Sequence, residues 1–220
     1  MSRFHEVSAL IRKDLRIELR QRSAINGVIL YLVSTLFICY LSFSANADPQ
    51  SLISLFWVVI LFASTNAVSK SFVQENSYRQ ATYNLLASQA SLILAKLLYN
   101  ALLMLLISSL CFFLFVFLLG NPVQNIAAFI PVLGLGSIGF SCLMTFVSAI
   151  ASRTGNHFAM TAVLGFPIAL PLIVLCVSLT TACMGTELPA GFWSKVAVLL
   201  LLDGIIAALA YILFPFLWRE

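Results

Sequence analysis

Long apolar runs separated by short polar intervals set the pattern of this chain. Six runs, at about 25–44, 52–69, 97–119, 125–152, 158–181 and 194–217, each have the ~20 residues a helix needs to cross ~30 Å of hydrocarbon. The pattern predicts an all-α polytopic membrane protein with six transmembrane helices. Most intervals are brief. Residues 45–51 contain Asp48-Pro49, and 153–157 form a short polar turn. Gly120-Asn121-Pro122 predicts a tight turn, because proline cannot continue a helix and Asn-Pro starts turns.

Two polar intervals are longer. In the arm, residues 1–24, Phe4, Val7, Ile11, Leu15 and Leu19 fall on one arc at 100° per residue, and Arg12, Lys13, Arg16 and Arg20 fall opposite. That pattern predicts an amphipathic helix on an anionic leaflet. Glu18 interrupts the apolar arc, and a plain basic topogenic arm needs no helix at all. The second interval, 70–96, carries Lys70, Glu75, Arg79 and Lys96 among helix formers such as Leu85, Leu86 and Ala87. It reads either as an ordinary inter-helix loop or as a helical segment on which a soluble partner docks. In the docking reading Tyr78, Tyr83, Leu85 and Leu86 are the apolar anchors. Glu75 and Arg79 support the helix at i, i+4 spacing.

Composition confirms the class. The chain is 61% hydrophobic and 9% charged, where soluble domains carry roughly 25% charge. Six spans put both termini on one side, and that side then receives all twelve basic residues except Lys195. The positive-inside rule makes the termini and 70–96 cytoplasmic. The net charge of +4 is therefore a topology signal and not a nucleic-acid one. The five cysteines lie in or beside apolar runs without C-x-x-C spacing and read as buried thiols. Whether Cys39 pairs with Cys183 is left open.

Candidate chemistry is sparse. Gly134-Leu135-Gly136-Ser137-Ile138-Gly139 spells G-x-G-x-x-G, but it has no preceding strand and no acidic residue about 20 positions on. Small residues inside an apolar run instead predict close helix packing. No G-x-x-x-x-G-K-[ST] is present, so ATP energy would have to come from another subunit. His5 and His157 sit at the cytoplasmic boundary, and no catalytic or metal-ligating set is expected. Pro167 and Pro171, with Gly165 nearby, predict a kinked or broken fifth span. That kink serves either packing or a moving, path-lining helix. Asp203 is an acid about ten residues into the sixth span. At that depth it is either neutral and hydrogen-bonded to a neighbouring helix or part of a pathway. Lys195, two turns earlier, is expected to snorkel outward.

These features together resemble ABC-2-type exporter permeases, and within them the CcmB family, the permease of the cytochrome c maturation (haem exporter) system. The resemblance covers nearly the whole chain. It rests on LRIELR at 15–20, on 85–96, on 133–140, and above all on 151–172, where the family's Pro-Leu-x-x-Pro-Leu pattern appears as Pro167-Ile168-Ala169-Leu170-Pro171-Leu172, with Ile168 in place of the first leucine. The chain departs from the family at Gln74-Glu75-Asn76-Ser77-Tyr78-Arg79, where relatives often have more acidic residues and a glycine. The resemblance implies a six-span permease that is not itself an enzyme, in the bacterial inner membrane, with two copies in the complex. An ABC ATPase subunit (CcmA-like) would dock on 70–96. A haem-handling membrane protein (CcmC-like) and a haem chaperone (CcmE-like) would complete the machine. Haem is implied as the transported or handled species, with no firmly bound cofactor and ATP only through the partner. Alternatives are an ABC-2 permease for a lipid, polysaccharide or drug, and a membrane scaffold without transport.

Overall fold

A computed structural model describes residues 3–20, 22–43, 48–73, 89–152 and 157–217. Within them the chain forms seven helices: α1 (Arg3–Arg20), α2 (Arg22–Ser42), α3 (Pro49–Val73), α4 (Gln89–Leu119), α5 (Ile126–Ala151), α6 (His157–Ala182) and α7 (Phe192–Leu217). Five stretches are long and apolar enough to cross a membrane: Pro49–Val68, Ser91–Leu119, Ile126–Ala151, Ala159–Ala182 and Phe192–Leu213. In α2 the apolar part, Asn26–Ser42, is shorter. Large apolar side chains such as Phe113, Phe117, Val163, Val174, Leu201 and Ile205 point outward. A helix bundle that exposes such groups has lipid as its natural solvent.

α5 is the hub, packing against α3, α4, α6 and α7. Its glycines and serines let neighbouring backbones approach, while Phe140, Leu143 and Met144 fill the remaining space. α2 lies at the edge, with a stripe of Val28, Leu32, Leu36 and Cys39 buried and Leu30, Ile38 and Leu41 exposed. That 3.6-residue stripe fits its packing against α3 and α4.

α4 ends where Gly120-Asn121-Pro122 predicts, and residues 120–125 form an irregular connection in which the Val123 amide donates to Asn121 Oδ1 at 3.1 Å. Gly120 adopts φ +88°, a conformation glycine takes without a Cβ penalty, and ends α4. Asn125 then caps α5, its Oδ1 accepting from the Ala128 amide at 3.1 Å. The Gln124 and Asn125 amides donate to the Cys183 carbonyl at 3.1 and 3.0 Å, tying this turn to the end of α6.

α1 is a helix, as the arm's periodicity indicates. It packs against α4 and, less extensively, α2. The Ser91 hydroxyl donates to Glu6 Oε2 at 3.0 Å. α4 is already helical from Gln89, ahead of the span from about 97 that the sequence suggests, and α1 packs against it. Lys96 looks like a boundary residue in the sequence, yet it is only 5% exposed inside a continuous helix. Likewise α3 continues through Lys70 to Val73, so the long polar interval is helical at both ends.

Candidate functional site

The polar groups that matter sit where α5 meets its neighbours. The Trp57 indole of α3 donates to Thr180 Oγ1 of α6 at 2.9 Å, and Thr180 Oγ1 donates to the Cys176 carbonyl at 2.7 Å. Trp57 is fully buried and stacks on Phe140, with ring centroids 6.1 Å apart. Room for it exists because residue 136 is glycine. A Cβ there would stand 2.5 Å from Trp57 Cη2 and 3.0 Å from Cys176 Sγ. One bond thus locks α3 to α6 across a notch in α5. An aromatic cluster continues from it through Phe56, Phe112, Phe115 and Phe129, with Phe56 edge-on to Phe115 at 5.4 Å. Edge-to-face contacts of this kind add to simple area burial.

A second polar link joins α4 to α5. Asn100 Nδ2 donates to Thr145 Oγ1 at 2.9 Å, both residues being fully buried. Interhelical bonds of this type fix register in an apolar bundle. α4 follows directly after the polar interval, so this bond connects that interval's far end to the hub. Neither this pair nor the Trp57–Thr180 lock emerges from the sequence reading. The available signal was the presence of Asn and Thr inside apolar runs, which mark interhelical partners but not which residues pair.

The G-x-G-x-x-G stretch serves packing, and its glycines differ. Gly134 has nothing within 4 Å of a built Cβ, whereas Gly136 receives Trp57. At Gly139 a Cβ would collide with Asp203 Oδ1 and stand 2.9 Å from Leu172 Cδ1. Asp203 is therefore 5% exposed, seated on the bare backbone of α5, and neither of its oxygens has a hydrogen-bond partner. The interhelical hydrogen bond considered for it from sequence is not made. Lys195 is exposed, as expected, and its Nζ donates to Ser178 Oγ of α6 at 3.0 Å.

Pro167 and Pro171 are both exposed, on the outward side of α6 that also carries Val163 and Val174. The helix runs unbroken from His157 to Ala182 through both, so the break that the sequence allows does not occur. Each proline removes one helical donor and crowds the carbonyl four residues back, yet the helix continues through both. Gly165 is buried on the opposite side, where a Cβ would stand 3.2 Å from Met144 Sδ and 3.8 Å from Val147 Cγ1.

The proposed docking residues Glu75, Tyr78, Arg79, Tyr83, Leu85 and Leu86 lie outside the described residues. All five cysteines are buried free thiols, so Cys39 and Cys183 are not paired here. Burial pushes the Cys183 thiol, just past the end of α6, up to about 11. Among the described residues no group of three His, Cys, Asp or Glu side chains is placed to hold a metal ion. Among the described residues the polar side-chain links join α3 to α6 and α4 to α5.

A family model described as CcmB protein matches residues 5–217 of the chain. No curated protein matches it.

Proposed function

The chain is a multi-pass membrane protein of the CcmB family, and from that premise we propose that it is the permease subunit of an ABC transporter for cytochrome c maturation. In this reading a separate ATPase hydrolyses ATP, and the bundle turns that energy into haem export or into release of a haem-loaded chaperone. The observation that carries it is the family match across 5–217 in a chain of long apolar helices without a P-loop. α2 is then the sixth span, the architecture is ABC-2-type, and two copies assemble with the haem-handling protein and the chaperone. Residues 70–96 form the coupling segment. Motion there enters α4 directly and reaches α5 through Asn100–Thr145. The test is covalent haem attachment to c-type cytochromes in cells lacking this chain. Attachment is expected to fail and to return with the wild-type gene. Normal attachment without the chain would reject the reading.

Topology gives a second expected outcome. The distribution of basic residues supports a cytoplasmic side for both termini and 70–96, and the family supports a bacterial inner membrane. Single cysteines at 45–51, Asn121 and Thr186 should react with an impermeant reagent from outside, and one at Ser77 should not. Labelling of position 77 from outside would invert the assignment.

A third concerns α6. Gly165 holds it against α5 while Pro167 and Pro171 leave backbone carbonyls on its outer side without their helical donors. Such a helix flexes without disturbing the packed side. Pro167→Ala with Pro171→Ala should leave protein levels unchanged and lower haem attachment. Full haem attachment at normal levels would remove flexing from the account.

A further inference from the structure

Asp203 is the one acidic residue within the five long apolar stretches. The others in the sequence are Glu6, Asp14, Glu18, Asp48, Glu75, Glu187 and Glu220. Its seat is specifically shaped. Gly139 of α5 leaves the space its carboxyl fills, and Leu172 of α6 stands on the other side of the same notch. Both carboxyl oxygens are shut off from solvent and accept no hydrogen bond. A carboxylate so placed would have given up its hydration for nothing, since among the described residues neither a donor nor a cation replaces it.

The helices packed against α7 do not supply that cation. From α5 and α6 the titratable neighbours are the thiols of Cys142 and Cys176, which carry no positive charge as thiols. On α7 itself Lys195 is two turns away and engaged with Ser178. On α4 the titratable groups are Lys96, Tyr99 and Cys111. The Asn100–Thr145 bond sets the antiparallel register of α4 on α5 and brings Leu106, not any of these, to the level of Gly139.

We infer that Asp203 is a proton-binding site: its carboxyl holds a proton while α5, α6 and α7 are packed around Gly139, and releases it when the seat opens to water. On release the carboxyl O–H breaks, the proton passes to an admitted water, and the carboxylate is left hydrated. Reprotonation lets the side chain return to its seat. Proton occupancy and separation of these helices are then one linked equilibrium. The inference depends on the seat and not on the transported species, so it stands or falls separately from the haem reading.

Infrared spectroscopy of the intact protein in lipid bilayers tests it. At neutral pH the wild type should show the carbonyl stretch of a protonated carboxylic acid. That band should be lost in Asp203→Asn, which keeps the side chain's shape and has no titratable proton. In Gly139→Ala, where the seat is filled, the surviving band should exchange in D2O markedly faster than in the wild type. Should Asp203→Asn fail to accumulate, alkaline titration of the wild-type band serves in its place, with the band expected to vanish reversibly. Absence of the band at neutral pH, or its persistence in Asp203→Asn, would overturn the assignment. An identical exchange rate in Gly139→Ala would overturn the role of the seat.

Discussion

Gly136→Ala is expected to destabilise the bundle, and Gly134→Ala, two residues away on the same helix, is not. Both substitutions raise intrinsic helix propensity by about 0.8–1.0 kcal/mol. At Gly134 the new methyl meets nothing within 4 Å, so the gain stands unopposed. At Gly136 it would lie 2.5 Å from Trp57 Cη2 and 2.6 Å from Cζ3. The indole has nowhere to retreat, being fully buried, stacked on Phe140 and bonded to Thr180. Overpacking of this kind costs about 1–3 kcal/mol. If Trp57 moves off Thr180, its N–H is left unsatisfied in an apolar interior for about 1–3 kcal/mol more. The propensity gain is the smaller term, so packing decides the sign. Thermal unfolding in detergent should shift down by several degrees for Gly136→Ala and not at all, or upward, for Gly134→Ala. Equal behaviour of the two variants would contradict the placement of Trp57 in the α5 notch.

The largest functional effect is expected from Tyr78→Ala with Tyr83→Ala. The segment between α3 and α4 carries few groups able to anchor a partner, and these two rings are the largest. The Glu75–Arg79 pair adds only about 0.2–0.5 kcal/mol to a helix there. Isolated helices under about 12–15 residues are marginal in water, so the partner has to contribute the remaining stability. Losing one central aromatic anchor typically costs about 2 kcal/mol, which weakens binding roughly 30-fold. The double variant should insert normally, lose its ATPase on purification and fail to support haem attachment. A double variant with an intact complex and full ATP-dependent activity would show that the ATPase docks elsewhere.

The helices were legible because a bilayer demands long apolar runs, and the runs at 125–152 and 158–181 fall almost on α5 and α6. The start of α4 was not. A lysine normally marks the edge of a span, but α1 packs over that part of the bundle, and Lys96 is buried within the helix. The glycine motif announced close packing without saying that Gly136 receives a tryptophan and Gly139 a carboxyl. Which partner fills a notch depends on helix register and rotation, and hydropathy carries neither. Pro167 and Pro171 show the same limit. Their four-residue spacing puts them on one side of α6, but only the packed bundle shows that this side faces outward.

Co-purification from native membranes tests the central claim most directly. The chain, tagged at its C-terminus and extracted in mild detergent, is predicted to bring with it a separate ATP-hydrolysing ABC subunit, and to lose that subunit when residues 74–88 are replaced by a glycine-serine linker of equal length. Recovery of the chain with no ATPase, or of an ATPase that stays bound to the linker variant, would contradict it.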